Sequence, residues 1–213
     1  MTILTFFARP LIAPPVPGPI GNVPRRSQPT TLVEPDPQAE AQGVNLGLRF
    51  GVMRAGRILG VSFWRHSADM NGPHIGSLWQ LDGTGVAHAH FPPMDMVQGW
   101  NSVRFNEPFE CNPTSPTQPV YLVASALTNS FSLTDNFFNN QLAGAWDHEN
   151  QTVIAGGGIG GTHPLAPNLF VPAANIPTDG LSGNGLFAYG GNNFPNQSYQ
   201  NRNYYVDVLF ETE

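Results

Sequence analysis

The sequence predicts an all-β fold: an antiparallel two-sheet β-sandwich of jelly-roll type, preceded by an extended proline-rich N-terminal arm. Three observations predict it. From residue 44 onward, short apolar segments are divided by turns rich in Gly, Pro, Asn and Asp. No long segment keeps a helical period, and no sequence repeat appears. Nine of the 21 prolines fall within residues 1–42, at positions 10, 14, 15, 17, 19, 24, 29, 35 and 37. Together these divide the chain into an arm over 1–42 and a sandwich over 43–213, long enough to bury its own core.

The arm comes first. Proline lacks an N–H donor and favours extended geometry, which excludes a helix or a central strand here. Yet Ile3, Leu4, Phe6, Phe7, Leu11 and Ile12 place six large apolar side chains within a dozen residues. A solvated linker seldom carries so many, so the segment is expected to dock on a neighbouring subunit, a disordered linker being the competing reading. The apolar run does not read as a secretion signal. No cation precedes it, Arg9 and Pro10 interrupt it, and Pro14-Pro15-Val16-Pro17 stands where small cleavage residues belong. Nor does any run approach the roughly 18 apolar residues of a membrane span. Synthesis in a host cytoplasm without an export signal is the expectation.

Strands are expected over 44–50, 57–65, 75–81, 86–91, 100–105, 119–126, 185–189 and 203–210. Asp82-Gly83 separates two of them and carries the strongest hairpin signal. The Gly-, Asn- and Pro-rich stretch 128–183 is expected to form long loops at one rim, where binding surfaces concentrate. In the last strand, Tyr204, Val206, Val208 and Phe210 share one face, while Tyr205, Asp207 and Leu209 share the other. That pattern suits the edge of a packed sheet, placed centrally enough to bury Val206 and Val208.

The closing stretch, NGLFAYGGNNFPNQSYQNRNYYVDVLF over 184–210, resembles the C-terminal signature of a bacterial and phage domain of unknown function, family 4082. Phe194, Pro195, Ser198, Tyr199, Asn203, Tyr204, Val206, Asp207, Val208 and Phe210 stand at the matching positions, and Tyr205 replaces a usual Trp. Upstream, NLGLRF (45–50), GRILGVSFW (56–64), HIGSLW (74–79), Asp82-Gly83-Thr84 and GWNSVRF (99–105) are similar to the family's earlier strands. The resemblance spans about residues 43–213. It implies the fold more than a function, because the family carries no established activity.

Composition narrows the classes of partner. All nine basic residues are arginine; a net charge of -6 and no basic cluster larger than Arg25-Arg26 argue against nucleic acid. With only 11% charged residues, the surface is expected to be neutral and hydrogen-bonding, as on carbohydrate binders and virion proteins. A single cysteine, Cys111, excludes an internal disulfide and any multi-thiol metal site; it is expected at a strand end, partly buried and inert.

Chemistry-bearing motifs are sparse. His88 and His90 flank Ala89 on one strand face, roughly 7 Å apart at the backbone. They are weak metal candidates, with His66 or Asp95 as a third ligand, against a plain pair of solvent-facing polar residues. His74 is expected to make a structural hydrogen bond. No G-x-S-x-G occurs, and the glycine run 156–161 lacks the Lys-Ser/Thr of a phosphate loop. Asp147-His148-Glu149 reads as a polar loop. The expectation is therefore no catalytic residue, no metal and no cofactor. Trp64, Trp79 and Trp100 are expected in the core. Trp146, with Asp147, His148 and Asn150, is the expected glycan contact, while Phe194 and Tyr199 are expected to pin their loop onto the sandwich. The functional expectation is a non-enzymatic phage virion protein: a minor tail or capsid-decorating subunit, oligomeric in assembly, docked through its arm, with rim loops toward host glycans. The alternative is a carbohydrate-binding module of a bacterial cell-surface protein.

Overall fold

The computed structural model describes residues 19–20, 31–32, 43–66, 69, 74–93, 98–114, 120–133, 135, 145–147, 152–154, 169–170, 183–200 and 202–212. The strands in chain order begin with β1 (Pro19–Ile20), β2 (Thr31–Leu32), β3 (Val44–Val52), β4 (Gly56–Arg65), β5 (Ile75–Gln80), β6 (Gly85–His90) and β7 (Gly99–Cys111). They continue with β8 (Val120–Thr128), β9 (Ser132–Leu133), β10 (Ala145–Asp147), β11 (Thr152–Ile154), β12 (Leu169–Phe170), β13 (Gly185–Tyr189) and β14 (Val206–Thr212). No helix occurs among the described residues, and none there is long and apolar enough to cross a membrane.

Two antiparallel sheets face each other. The smaller has the order β1-β14-β4-β7; the larger runs β11-β10-β12-β3-β8-β5-β6, with β13 also paired to β3. A separate two-stranded ladder joins β2 to β9. The eight strands expected from the apolar pattern are all present, as an all-β sandwich. Alternation explains the core between the sheets. Val44, Leu46, Leu48, Phe50 and Val52 from β3 meet Leu122, Ala124 and Ala126 from β8 and Leu78 from β5. Ile58, Val61, Phe63, Val206, Val208 and Phe210 close the core from the smaller sheet.

Local chemistry sets the details. The β5–β6 hairpin turns at Asp82-Gly83 as expected. Gly83 takes φ +88°, the Asp82 carboxylate accepts from Thr84 N at 2.8 Å, and Gln80 N donates to Thr84 O at 2.9 Å. The Thr84 hydrogen bonds hold the Asp82 carboxyl below its ordinary range. Where β4 meets β14, the register shifts between Leu209 and Phe210, so Leu59 has no direct partner there. At Gly60 an added Cβ would lie 2.0 Å from the Val103 carbonyl oxygen, so only glycine permits the close approach of β4 and β7.

Several expectations need correction. β7 continues past Phe105 to Cys111 through the exposed residues Asn106, Glu107, Pro108 and Glu110, which carry no alternating pattern. β9, β10, β11 and β12 fall within 128–183, expected as loops; their strands are two or three residues long, too short for periodicity to register. β14 is no edge strand in burial: it pairs β4 along its length and β1 at Val208 and Leu209, and Tyr205, Asp207 and Leu209 are as buried as Val206 and Val208. The arm reaches the sandwich at two points, β1 on β14 and β2 on β9. Ile3, Leu4, Phe6, Phe7, Leu11 and Ile12 lie outside the described residues.

Val208 packs in the core at 1% exposure, between β4 and β1. Val208→Ala is expected to cost about 1–3 kcal/mol in urea unfolding, from two lost methyl groups and the residual cavity. A cost below about 0.3 kcal/mol would mean that this face does not point inward.

Candidate functional site

The outer face of the larger sheet is covered by the chain between β13 and β14. Gly190 and Gly191 take φ +90° and +96°, turning the strand back across the sheet. Asn45 Nδ2 then donates to Asn193 O at 2.7 Å and to Asn192 Oδ1 at 3.3 Å, and Ser77 Oγ donates to the same Asn192 oxygen at 3.0 Å. Phe194 lies over Trp79, ring centroids 6.0 Å apart, and joins Leu81, Val123 and Leu186 in a small second core. Trp79 Nε1 donates to Ser125 Oγ at 2.8 Å. Pro195 sits against Gly47, where a Cβ would come within 2.7 Å of the proline ring. Phe194 thus pins the loop, as expected. Tyr199 does not: it is 52% exposed.

A second polar cluster lies inside the fold. The Asp69 carboxylate accepts from His74 Nε2 at 2.7 Å, Thr128 Oγ1 at 2.6 Å and Asn129 N at 3.2 Å. The His74 ring stacks on Phe63 with centroids 5.9 Å apart, and both Asp69 and His74 are buried. An Asp–His pair invites comparison with a proton-relay dyad, but here the carboxylate's oxygens are committed to three donors that tie the β4–β5 connection to the end of β8. The expected structural hydrogen bond of His74 is present. Sequence reading missed its partner, because Asp69 stands in a turn-like stretch with nothing to mark it as buried.

The third arrangement is exposed. After β13, Phe187 and Gln197 exchange both backbone hydrogen bonds, at 2.8 and 3.1 Å, so the following chain runs along the edge of β13. It brings Tyr199 and Arg202 beside this edge. The Arg202 guanidinium lies 4.5 Å over the Tyr199 ring, and its Nε donates to Asp135 Oδ1 at 2.6 Å. Tyr204 packs beneath, edge-on to Phe131 and Phe187. Burial pushes its phenol up to about 12, against the opposing pull of Arg202. Phe187 also supports Tyr189, centroids 5.7 Å apart. Among the described residues, the large apolar or aromatic side chains left exposed are Tyr189, at 47%, and Tyr199.

The remaining expected site residues lie only partly within the described residues, and Asp95 falls outside them. His88 and His90 do share one face of β6, both exposed, with ring centroids 6.4 Å apart. No group of three or more His, Cys, Asp or Glu gathers among the described residues. Trp146 and Asp147 lie on β10, opposite Val153 and Thr152 of β11, rather than in a loop. His148 and Asn150 lie outside the described residues. The tryptophan expectation is corrected. Trp64, Trp79 and Trp100 are half-buried and sit on the outer sheet faces, Trp64 and Trp100 paired edge-to-face at 6.0 Å. Trp100 Nε1 is buried and finds no hydrogen-bond partner among the described residues. Cys111 ends β7 in the core, where desolvation, aided by Glu110, pushes its thiol up to about 12.

Two outcomes follow from these environments. Asp69→Ala strands the buried His74 Nε2 donor, so a loss of roughly 1–3 kcal/mol is expected in chemical unfolding. A loss below about 0.5 kcal/mol would show the cluster to be dispensable. For Cys111 and Tyr204 the folded pKa is raised, from 9.0 and 10.0 to about 12 in each case. The folded chain therefore keeps protons that the unfolded chain releases. Stability is fully present below about pH 9 and falls as pH rises toward about 12. Melting temperatures across that window check this, and Cys111→Ala is expected to weaken the decline from its onset near pH 9.

Comparison with curated proteins and with solved structures gave no match. A family model matches residues 30–206, starting ahead of the expected domain boundary at 43 and so taking in β2. The match covers β2 through β13, the Asp69 cluster and the β13–β14 connection, most of the chain, and on that basis the chain belongs to the domain of unknown function family DUF4082.

Proposed function

We propose that this chain is a non-enzymatic structural and adhesive protein of a tailed-phage virion, a minor tail or capsid-decorating subunit. In this reading residues 1–42 attach it to other subunits and the sandwich faces outward. The observation that carries the non-enzymatic part is the use of its chemistry-bearing groups. Asp69 and His74 are buried in one structural cluster, Arg49 is buried against Asn184, and the Cys111 thiol is held neutral in the core. A nucleophile or general base needs access to substrate, and these groups are buried.

The assembly role is supported by the arm, which joins proline density to six large apolar residues. The described parts of this segment, β1 and β2, pair with the chain's own β14 and β9, so in this reading attachment to other subunits falls to residues 1–18. The low charge and the net charge of -6 support a surface made for hydrogen bonding rather than for nucleic acid.

A second reading, a carbohydrate-binding module of a bacterial cell-surface protein, is favoured by the exposed pair Tyr189 and Tyr199. Gene neighbourhood separates the two: portal, capsid and tail genes on one side, glycan-degrading enzymes on the other. The direct test deletes residues 1–18 and quantifies the chain in purified particles. The full chain is expected in the particles and the shortened chain in the lysate. Equal incorporation of both, or absence of the full chain from particles, would rule out arm-mediated assembly.

A further inference from the structure

We propose that the surface formed by Tyr189, Tyr199, Arg202 and Asp135 binds an uncharged oligosaccharide, a site that rests on the adhesive reading above and gives it a ligand class. Exposure is the first argument. Tyr189 and Tyr199 are 47% and 52% exposed, whereas Tyr204 and Tyr205 nearby are buried. A phenol ring presents an apolar face that suits the C–H face of a pyranose, with a hydroxyl at its rim for hydrogen bonding.

Polar geometry is the second. Arg202 is held two ways: over the Tyr199 ring at 4.5 Å and on Asp135 through Nε at 2.6 Å. Its planar fork and the Asp135 carboxylate set donors and acceptors side by side next to an aromatic face, the pattern needed to grip adjacent sugar hydroxyls. Because one face of Tyr199 carries the guanidinium, the ring's exposure belongs to the opposite face and edge. The groups are fixed before any ligand arrives. Phe187 backs Tyr189, Tyr204 backs Phe187, and little side-chain freedom remains to be lost on binding.

Charge and spacing choose the ligand. Asp135 neutralises Arg202, and the chain carries a net charge of -6, so a phosphate or polyanion gains nothing from the field. In the antiparallel pairing of Phe187 with Gln197, Tyr189 and Tyr199 extend to opposite sides of the bridge. They are four residues of extended chain apart, roughly 13 Å. A single pyranose does not span that distance; a short run of linked ones does. Tyr199 with Arg202 and Asp135 forms one subsite, and Tyr189 a second platform along the same edge.

The test is affinity electrophoresis of the full chain in native gels containing hydroxyethylcellulose, xyloglucan, galactomannan or pullulan, with alginate as the anionic arm. Retardation by at least one neutral polysaccharide is expected. Tyr189→Ala and Tyr199→Ala should each weaken it by about tenfold, as truncated aromatic anchors do. Arg202→Lys, keeping the charge but losing the fork, should weaken it as well. These side chains stand outside the core, so circular dichroism of each variant should match the parent. The site is overturned by absence of retardation in every neutral gel, by retardation in alginate alone, or by tyrosine variants that bind like the parent. Loss on Trp146→Ala with the tyrosine variants unaffected would equally overturn it, moving the contact to β10. None of these results touches the assembly reading, whose readout is the first 18 residues in particles.

Discussion

The fold depends on burying two polar side chains of β3. Asn45 and Arg49 alternate with the core residues Leu46, Leu48 and Phe50, and so point to the outer face of the larger sheet, yet both are 0% exposed. Burying a guanidinium without hydrogen bonds would cost several kcal/mol. The partners come from the far end of the sequence. Asn184 Oδ1 accepts from Arg49 Nε and Nη2 at 3.1 and 3.0 Å, and its carbonyl accepts from Arg49 N at 2.8 Å. Asn193 O takes the Asn45 amide, while Asn45 Oδ1 finds no partner among the described residues. The first long strand and the closing signature are thus obligatory partners. The turn glycines, the Phe194–Trp79 contact and the Pro195–Gly47 contact all serve to hold that cover in place. The cover in turn keeps water out, which strengthens the hydrogen bonds beneath it.

Much of the sandwich was legible because its core strands obey a period of two. Segments such as 185–189 and 57–65 carry enough apolar residues for their limits to be read closely, the second strand beginning one residue earlier, at Gly56. Where polar residues fill the outward positions, alternation gives the right strand and the wrong environment. NLGLRF reads as a strand with one solvated face, but that face is covered by a segment some 140 residues later, beyond the reach of any local pattern. The tryptophans mislead for a related reason. Trp64, Trp79 and Trp100 are strand residues and look like core, but each sits on the outward phase of the alternation, where burial depends on what lies across the sheet. Short strands such as β10 and β12 exist only by pairing, and nothing in two or three residues announces it.

The candidate site was legible in part. The sequence placed functional weight on the loop block and on Trp146, while the exposed aromatic pair lies in the signature segment, where Tyr199 reads as a structural anchor. What distinguishes Tyr199 from Phe194, five residues earlier, is direction. Phe194 faces the larger sheet and closes over Trp79, whereas Tyr199 comes after the Gln197 bridge and stands beyond the edge of β13. A motif match cannot separate two such aromatics; a backbone pairing can. Only the cation over Tyr199, Arg202, leaves a sequence trace, as a lone arginine in an Asn-rich stretch.

The sheet edges bear on how this domain meets a partner. β7 closes the smaller sheet with an outer stretch that carries Arg104, Glu107, Pro108 and Glu110, and charge and proline together discourage strand addition there. The opposite edge of that sheet is occupied by β1, which covers Val208 and Leu209 of β14. The edge of β13 is taken at Phe187 by Gln197. With backbone pairing suppressed or already used at these edges, contact along them falls to side chains. At β7 those side chains are flexible and charged, a surface that stays solvated. At β13 they are two aromatic rings braced by Phe187 and Arg202. A rigid, neutral, partly apolar strip would lose little entropy on meeting a ligand, and this sets the β13 edge apart from the charged, flexible β7 edge.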